Sequence, residues 1–217
     1  MFRRILLVPA LMVALTLVAC VDDSQSPLAP DAVLLDAAER RGPPANANAA
    51  PAPGTATIVD LVMEAAAAEE DAEFTLLLAA VLYIAETNPE SPLVAGLFDR
   101  DQYTVFAPTD AAFVGLVTAL GVAGAENPFA AIDDLLFAGA VEAVVSYHVV
   151  EGRRAANSVV PRVGTRTVQT LLDGATFQVR PDLSIQAIGN EANIVTANIS
   201  ASNGIVHVID AVILPLP

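Results

Sequence analysis

Ser146, His148 and Asp210 are the side-chain types that a hydrolase combines as nucleophile, base and orienting acid. Their arrangement argues against that use. Ser146 and His148 are two residues apart, so on a strand both point to one side, and no Gly-x-Ser-x-Gly turn presents a serine to a base. His148 and His207 are the only histidines, and two imidazoles without a thiol in the mature chain do not close a zinc site. His148 lies in an apolar run and reads as a core histidine. Its expected partner is Thr109, Asp110 or Asp210, because a buried polar group left unpaired costs roughly 1–3 kcal/mol. His207 alternates with Val206 and Val208, which places it on the other side of a sheet. The pairs Asp133-Asp134 and Glu69-Glu70 read as solvated helix faces. Asp99-Arg100-Asp101 has neither the length nor the glycine of a calcium loop. Asn198-Ile199-Ser200 fits a glycosylation sequon. No Gly-rich phosphate loop occurs, and these residues predict no catalytic group, no metal and no cofactor.

The remaining candidate is the turn Pro108-Thr109-Asp110. Tyr103, Thr104, Val105 and Phe106 form a β-branched and aromatic run suited to a pleated surface. Pro108 removes a ladder donor, and Thr109 or Asp110 offers an oxygen to the first N–H groups of a helix. Phe113, Leu116, Val117 and Leu120 recur at helical spacing, so that helix has one apolar face. A strand that ends in polar residues at a helix start can hold an anion. It can equally be scaffold, with Thr109 as cap and Phe106 and Phe113 in the core.

The chain ends narrow the choice. Arg3 and Arg4 precede an apolar run over 5–18 that is too short to span a bilayer, the pattern of a signal peptide. Leu17-Val18-Ala19-Cys20 resembles the bacterial lipobox, which implies cleavage after Ala19 and lipid on Cys20. Cys20 is the only cysteine, so no intrachain disulfide forms. Val21 stands where an aspartate would signal inner-membrane retention, which favours the outer membrane. The chain has no lysine; without Arg3 and Arg4 it carries 8 arginines against 25 acids, a net charge of −17. Such a chain is repelled by nucleic acid and by anionic membrane surfaces. Anchoring therefore rests on the lipid. Residues 20–54 are rich in Pro, Ala and Asn and form a tether after the signal of 1–19, with one helical island over 31–40.

Residues 55–217 are enough for one domain. Thr57 caps a first helix. Phe74, Leu77, Leu78, Val81, Leu82 and Ala85 mark a second over 73–85, and Pro92 starts a third. Asn127-Pro128 opens another, with a break at Gly139. From Tyr147-His148-Val149-Val150 onward short strand-like runs are separated by Asp173-Gly174, Pro181-Asp182, Gly189-Asn190 and Asn203-Gly204. Helices followed by short antiparallel strands predict an α+β fold.

Three segments in order resemble the fasciclin (FAS1) domain family. The first is 104–113, with Thr104, Phe106, Pro108, Thr109, Asp110 and Phe113. The second is 145–152, with Tyr147, His148 and Gly152, and the third is 203–215, with Asn203, Gly204, His207 and Asp210. Departures are a long alanine-rich helical stretch over 64–101 and an insertion around 121–128. The resemblance implies a β-wedge flanked by helices and a non-catalytic extracellular adhesion module, in bacteria often secreted or lipid-anchored. On that reading the signature residues are structural. The partner is a protein or polysaccharide outside the cytoplasm, and the membrane is reached through the N-terminal lipid. The alternative is a carrier of an apolar small molecule such as a carotenoid, a use associated with some microbial relatives. A chain with eight Phe, three Tyr and no Trp is poorly supplied for such a cage.

Overall fold

A computed structural model describes residues 53–98 and 101–216. The expected signal segment, Cys20, the tether with its 31–40 island, Asp99 and Arg100 lie outside the described residues. Each helix start has a local or borrowed reason. Helix α1 (Ile58–Ala66) opens with a capping box, Thr57 Oγ1 accepting from the Asp60 N–H at 3.1 Å and Asp60 Oδ2 from the Thr57 N–H at 2.9 Å. Helix α2 (Thr75–Thr87) follows Phe74, which sits at φ 66° and gives no side-chain cap. Helix α3 (Pro92–Phe98) has its proline at the first position.

Strand β1 (Tyr103–Pro108) runs into α4 (Asp110–Ala119), whose cap is Thr109. Asn127 caps α5 (Pro128–Leu135), and α6 (Ala140–Tyr147) begins after Gly139 at φ 83°. Then come β2 (Val149–Glu151), the single turn α7 (Ala156–Val159), β3 (Arg166–Gln169), β4 (Thr176–Val179), β5 (Ser184–Gln186), β6 (Glu191–Ala201) and β7 (Gly204–Ile209).

The seven strands form one sheet in the order β2-β1-β7-β6-β5-β4-β3. All pairs are antiparallel except β1 with β7, which run parallel from Tyr103 beside Gly204 to Pro108 beside Ile209. That pairing brings backbones so close that a Cβ on Gly204 would stand 2.0 Å from the Tyr103 carbonyl oxygen. Only glycine fits there. The sheet's two ends meet where the Leu171 N–H donates to the Val149 carbonyl at 2.7 Å. The result is a nearly closed wedge with helices beside it, a mixed α+β fold.

Two expectations are corrected. Tyr147-His148 does not start a strand: Tyr147 ends α6, His148 follows as its C-cap, and β2 begins at Val149. An apolar β-branched run reads as buried helix or buried strand alike, and the left-handed Gly139 starts a helix long enough to take in Tyr147. The strand expected over 205–214 stops at Ile209, where the Asp210 carboxylate and not its carbonyl takes the Asn193 N–H, so the ladder with β6 ends.

Alternation along β1 divides the interior. Val105 and Ala107 join a core built with α1 to α6 around Leu77, Ala80, Ile84, Phe113, Phe129 and Ile132. Phe106 joins a second core, with Tyr147, Val150, Phe177, Ile185 and Ile209 inside the wedge. Phe106 and Phe113 are both buried, on opposite sides of the sheet.

Candidate functional site

The signature residues come together around β1 and β7, and their polar atoms bond mainly to backbone. Thr104 Oγ1 donates to the Gly152 carbonyl at 2.6 Å and accepts from the Arg154 N–H at 2.8 Å. Gly152 holds φ 83° and donates to the Gln102 carbonyl. Asn203 accepts from the Ile58 N–H at 2.8 Å and donates to the Leu97 carbonyl at 3.2 Å, tying the β6–β7 turn to α1 and α3. Tyr147 is fully buried and donates to the Thr176 carbonyl at 2.8 Å; burial raises its pKa. Its ring meets Phe177 edge-on at 5.9 Å, and Phe177 meets Phe106 edge-on at 5.0 Å.

His148 does not pair with Thr109, Asp110 or Asp210. Its Nδ1 lies 2.7 Å from the Val144 carbonyl, and its Nε2 accepts the Ile213 N–H at 3.0 Å. A carbonyl on one side and an N–H on the other fix the neutral Nδ1–H tautomer. Burial lowers its pKa to about 4, against an opposing pull from the Val144 carbonyl. A proton on Nε2 would face the Ile213 N–H. With both nitrogens committed, the ring pins α6 to the C-terminal segment and has no free atom to act as base for Ser146. His207 repeats the pattern, Nε2 toward the Arg154 carbonyl at 3.0 Å and Nδ1 accepting from the Asn198 N–H at 3.3 Å; burial lowers its pKa too.

The acidic signature residues are caps and pins. Asp110 accepts from the Thr75 N–H and hydroxyl at 3.1 and 2.7 Å and from the Leu76 N–H at 2.9 Å, so it caps α2, the helix that lacks a local cap. Glu73 returns the contact by accepting the Asp110 N–H at 3.1 Å. Thr109 Oγ1 accepts from the Ala112 N–H at 3.2 Å, capping α4. Asp210 accepts from the Asn193 N–H and carboxamide at 2.6 and 3.0 Å. Asp133, expected on a solvated face, instead accepts from the Val141 N–H at 2.8 Å and the Tyr83 hydroxyl at 3.0 Å. It supplies the cap that Gly139 cannot give α6. Asn198 of the sequon caps the start of α7 through the Ala156 N–H at 2.8 Å.

Clefts among the described residues border this framework. A cavity of about 40 Å³ between α1, α2 and the sheet is walled by aliphatic side chains such as Val62, Leu77, Val81 and Leu97, with His148 at its base. A cleft of about 410 Å³ at the end of α2 holds Tyr83, Thr87, Asn88, Asp133 and Glu142. Their polar groups are paired internally: Asn88 and Ser91 donate to Glu142 at 3.0 and 2.5 Å, and Thr87 to the Tyr83 carbonyl at 2.8 Å. A third cleft, of about 400 Å³, lies between α7, the loop after it and the β4–β5 turn, lined by Asn157, Val160, Pro161, Arg162, Pro181 and Leu183. No sequence signal marked it. Its two walls are about 20 residues apart in the chain and meet only in the fold.

The framework can now be set beside known proteins. A family model, the Fasciclin domain, matches residues 81–215. Over 152 residues the chain is 37% identical to Immunogenic protein MPB70 of Mycobacterium bovis, covering 70% of this chain and 68% of that one. Over 158 residues it is 34% identical to Protein sll1483 of Synechocystis sp., covering 71% and 73%. Cell surface glycolipoprotein MPB83 of Mycobacterium bovis is 32% identical over 129 residues, covering 59% of this chain and 50% of that one. A solved FAS1 domain pair from the insect cell adhesion molecule Fasciclin I aligns at TM-score 0.43 and 17% identity, over 64% of this chain and 45% of that chain. The family model and the Mycobacterium bovis and Synechocystis relatives define the class. The chain belongs to the fasciclin family.

Proposed function

We propose that this protein is a non-catalytic adhesion module held at the cell envelope. In this reading residues 1–19 are removed, Cys20 carries lipid, 20–54 form the spacer and 55–217 form the FAS1 domain that meets a protein or polysaccharide partner. One observation carries it: the polar side chains of the signature residues, from Thr104 and Asp110 to His148, Asn203 and Asp210, are occupied by backbone and cap contacts. No buried side-chain nitrogen or oxygen among the described residues lacks a partner. A site that does chemistry needs a group held free for its substrate. A relative named as a cell surface glycolipoprotein supports the placement. Among the described residues no helix is long and apolar enough to cross a membrane, which is compatible with attachment through Cys20.

The carrier alternative requires room for an apolar ligand. Small-molecule sites usually enclose about 300–1,000 Å³, and the aliphatic cavity beside His148 encloses about 40 Å³. The test is attachment by cells that lack the protein, with the parent gene and a Cys20→Ala gene restored in turn. Lost attachment, recovered only with Cys20 present, is the expected result. Unchanged attachment overturns the adhesion reading, and a coloured or lipid-laden purified chain would put the carrier in its place.

A further inference from the structure

Among the described residues, the clefts at the end of α2 and beside α7 are nearly equal in volume and differ in chemistry. In the cleft at the end of α2 the carboxylates of Asp133 and Glu142 are already occupied. In the cleft beside α7, Arg162 and Asn157 are exposed, and among the described residues neither has a hydrogen bond or ion pair. The other described arginines are committed. Arg153 donates to the Ala201 and Gly204 carbonyls and to Ser200, Arg154 to the Glu151 carbonyl, and Arg166 to the Ser158 carbonyl. Arg180 pairs with Glu191 at 3.3 Å. Among the described residues Arg162 is the one arginine left without a partner.

Its surroundings are held by hydrogen bonds. Arg166 ties the loop carrying Arg162 back to α7. The facing wall is the turn 180–184, where the Leu183 N–H donates to the Arg180 carbonyl and Asp182 accepts from the Ser184 N–H and hydroxyl. Leu183 stands at φ 71°, a conformation that a branched side chain adopts only when its surroundings impose it, and its side chain lines the cleft. Charge points the same way. Residues 55–152 hold 16 carboxylates and one arginine, whereas 153–217 hold four carboxylates and five arginines. An anion is repelled by the first region and tolerated by the second.

We infer that this cleft binds an acidic sugar residue, a uronate of an extracellular polysaccharide. A guanidinium fits a carboxylate through two parallel N–H donors. The Asn157 carboxamide both donates and accepts, as adjacent sugar hydroxyls require. The exposed Pro181 and Leu183 and the half-buried Val160 offer apolar faces to the C–H side of the ring. The inference rests on the adhesion reading and narrows its partner.

The test is calorimetric titration of the full chain in detergent micelles with tetragalacturonate. Controls are the same oligomer with its carboxylates reduced to alcohols, inorganic phosphate, and a short peptide ending in a free carboxylate. Binding of the uronate alone is expected, weakened about tenfold by Arg162→Ala and only partly restored by Arg162→Lys, which lacks the fork. Asn157→Ala is expected to weaken it about threefold, the loss of one neutral hydrogen bond. Equal binding of the reduced oligomer, equal binding of phosphate or peptide, no binding up to about 10 mM, or an unaffected Arg162→Ala each overturns the inference. Cells that need the gene for attachment but attach normally with Arg162→Ala would sink this site and leave the adhesion reading standing.

Discussion

The helical region and the strand region use one sheet differently. Residues 55–152 carry a net charge of −15 and 153–217 carry +1. The helices bury their apolar faces against one side of β1 and β7. The strand region closes over Phe106, Tyr147 and Phe177 on the other side. In the helical region carboxylates such as Asp60, Asp110, Asp133 and Glu142 satisfy helix starts and turns. In the strand region arginines hold the loops through carbonyls, and one of them has nothing to hold. Acidic side chains suit the first task, because helix N-termini favour negative charge. The difference teaches that residue types associated with chemistry are structural in the first region, whereas in the second an arginine without a partner faces a cleft.

The comparison can be broken at several places. The largest loss is expected inside the wedge. Phe106→Ala removes a fully buried ring in contact with Phe177 and His207. Denaturant unfolding should show about 4 kcal/mol less stability. A loss under about 1 kcal/mol, the range of a surface change, would mean that the second core does not carry the fold.

Acid should act next. A histidine whose folded pKa lies below its unfolded value binds a proton more readily when unfolded, so stability rises with pH between the two values. For His148 those values are about 4 and 6.5. Lowering the pH from 7 to 4 should therefore cost about 3 kcal/mol through this residue, and His207 adds a loss of the same sign. Stability curves at pH 7, 5.5 and 4 check the slope. A flat profile contradicts it.

Smaller effects separate the two helix caps. Asp110→Ala opens three contacts to the start of α2 and should cost about 2 kcal/mol, the upper end for a cap. Thr109→Ala opens one and should cost about 1 kcal/mol. Thermal melts of both variants check the order, and the reverse order would make the long-range cap unimportant. Arg162→Ala should leave the melting temperature unchanged, because the side chain has no partner to lose.

Much of this architecture was legible in the sequence wherever the signal is local. Thr57, Thr109 and Asn127 each cap the helix that follows them, and the turns at Asp173-Gly174 and Asn203-Gly204 fall between strands. What was not legible depends on distant partners. Asp110 serves a helix 35 residues earlier, and Asp133 serves one whose own start is a glycine. The parallel pairing of β1 with β7 spans about a hundred residues, and nothing in either run announces it. Val144 to Val150 is mostly apolar and buried, with only Ser146 and His148 interrupting it, so periodicity cannot place the helix end at Tyr147. The pairing of His148 differs from the expected one for a simpler reason. A buried imidazole needs a donor and an acceptor, and the backbone supplies both as well as a side chain does.

The claim under all of these comparisons is that the Tyr-His signature is a pin between layers and not a reactive site. The direct measurement is an NMR titration of the ¹⁵N-labelled imidazole of His148. The expected result is a neutral ring with hydrogen on Nδ1 that stays neutral until the pH approaches about 4. Protonation near 6.5, or hydrogen on Nε2, would contradict it.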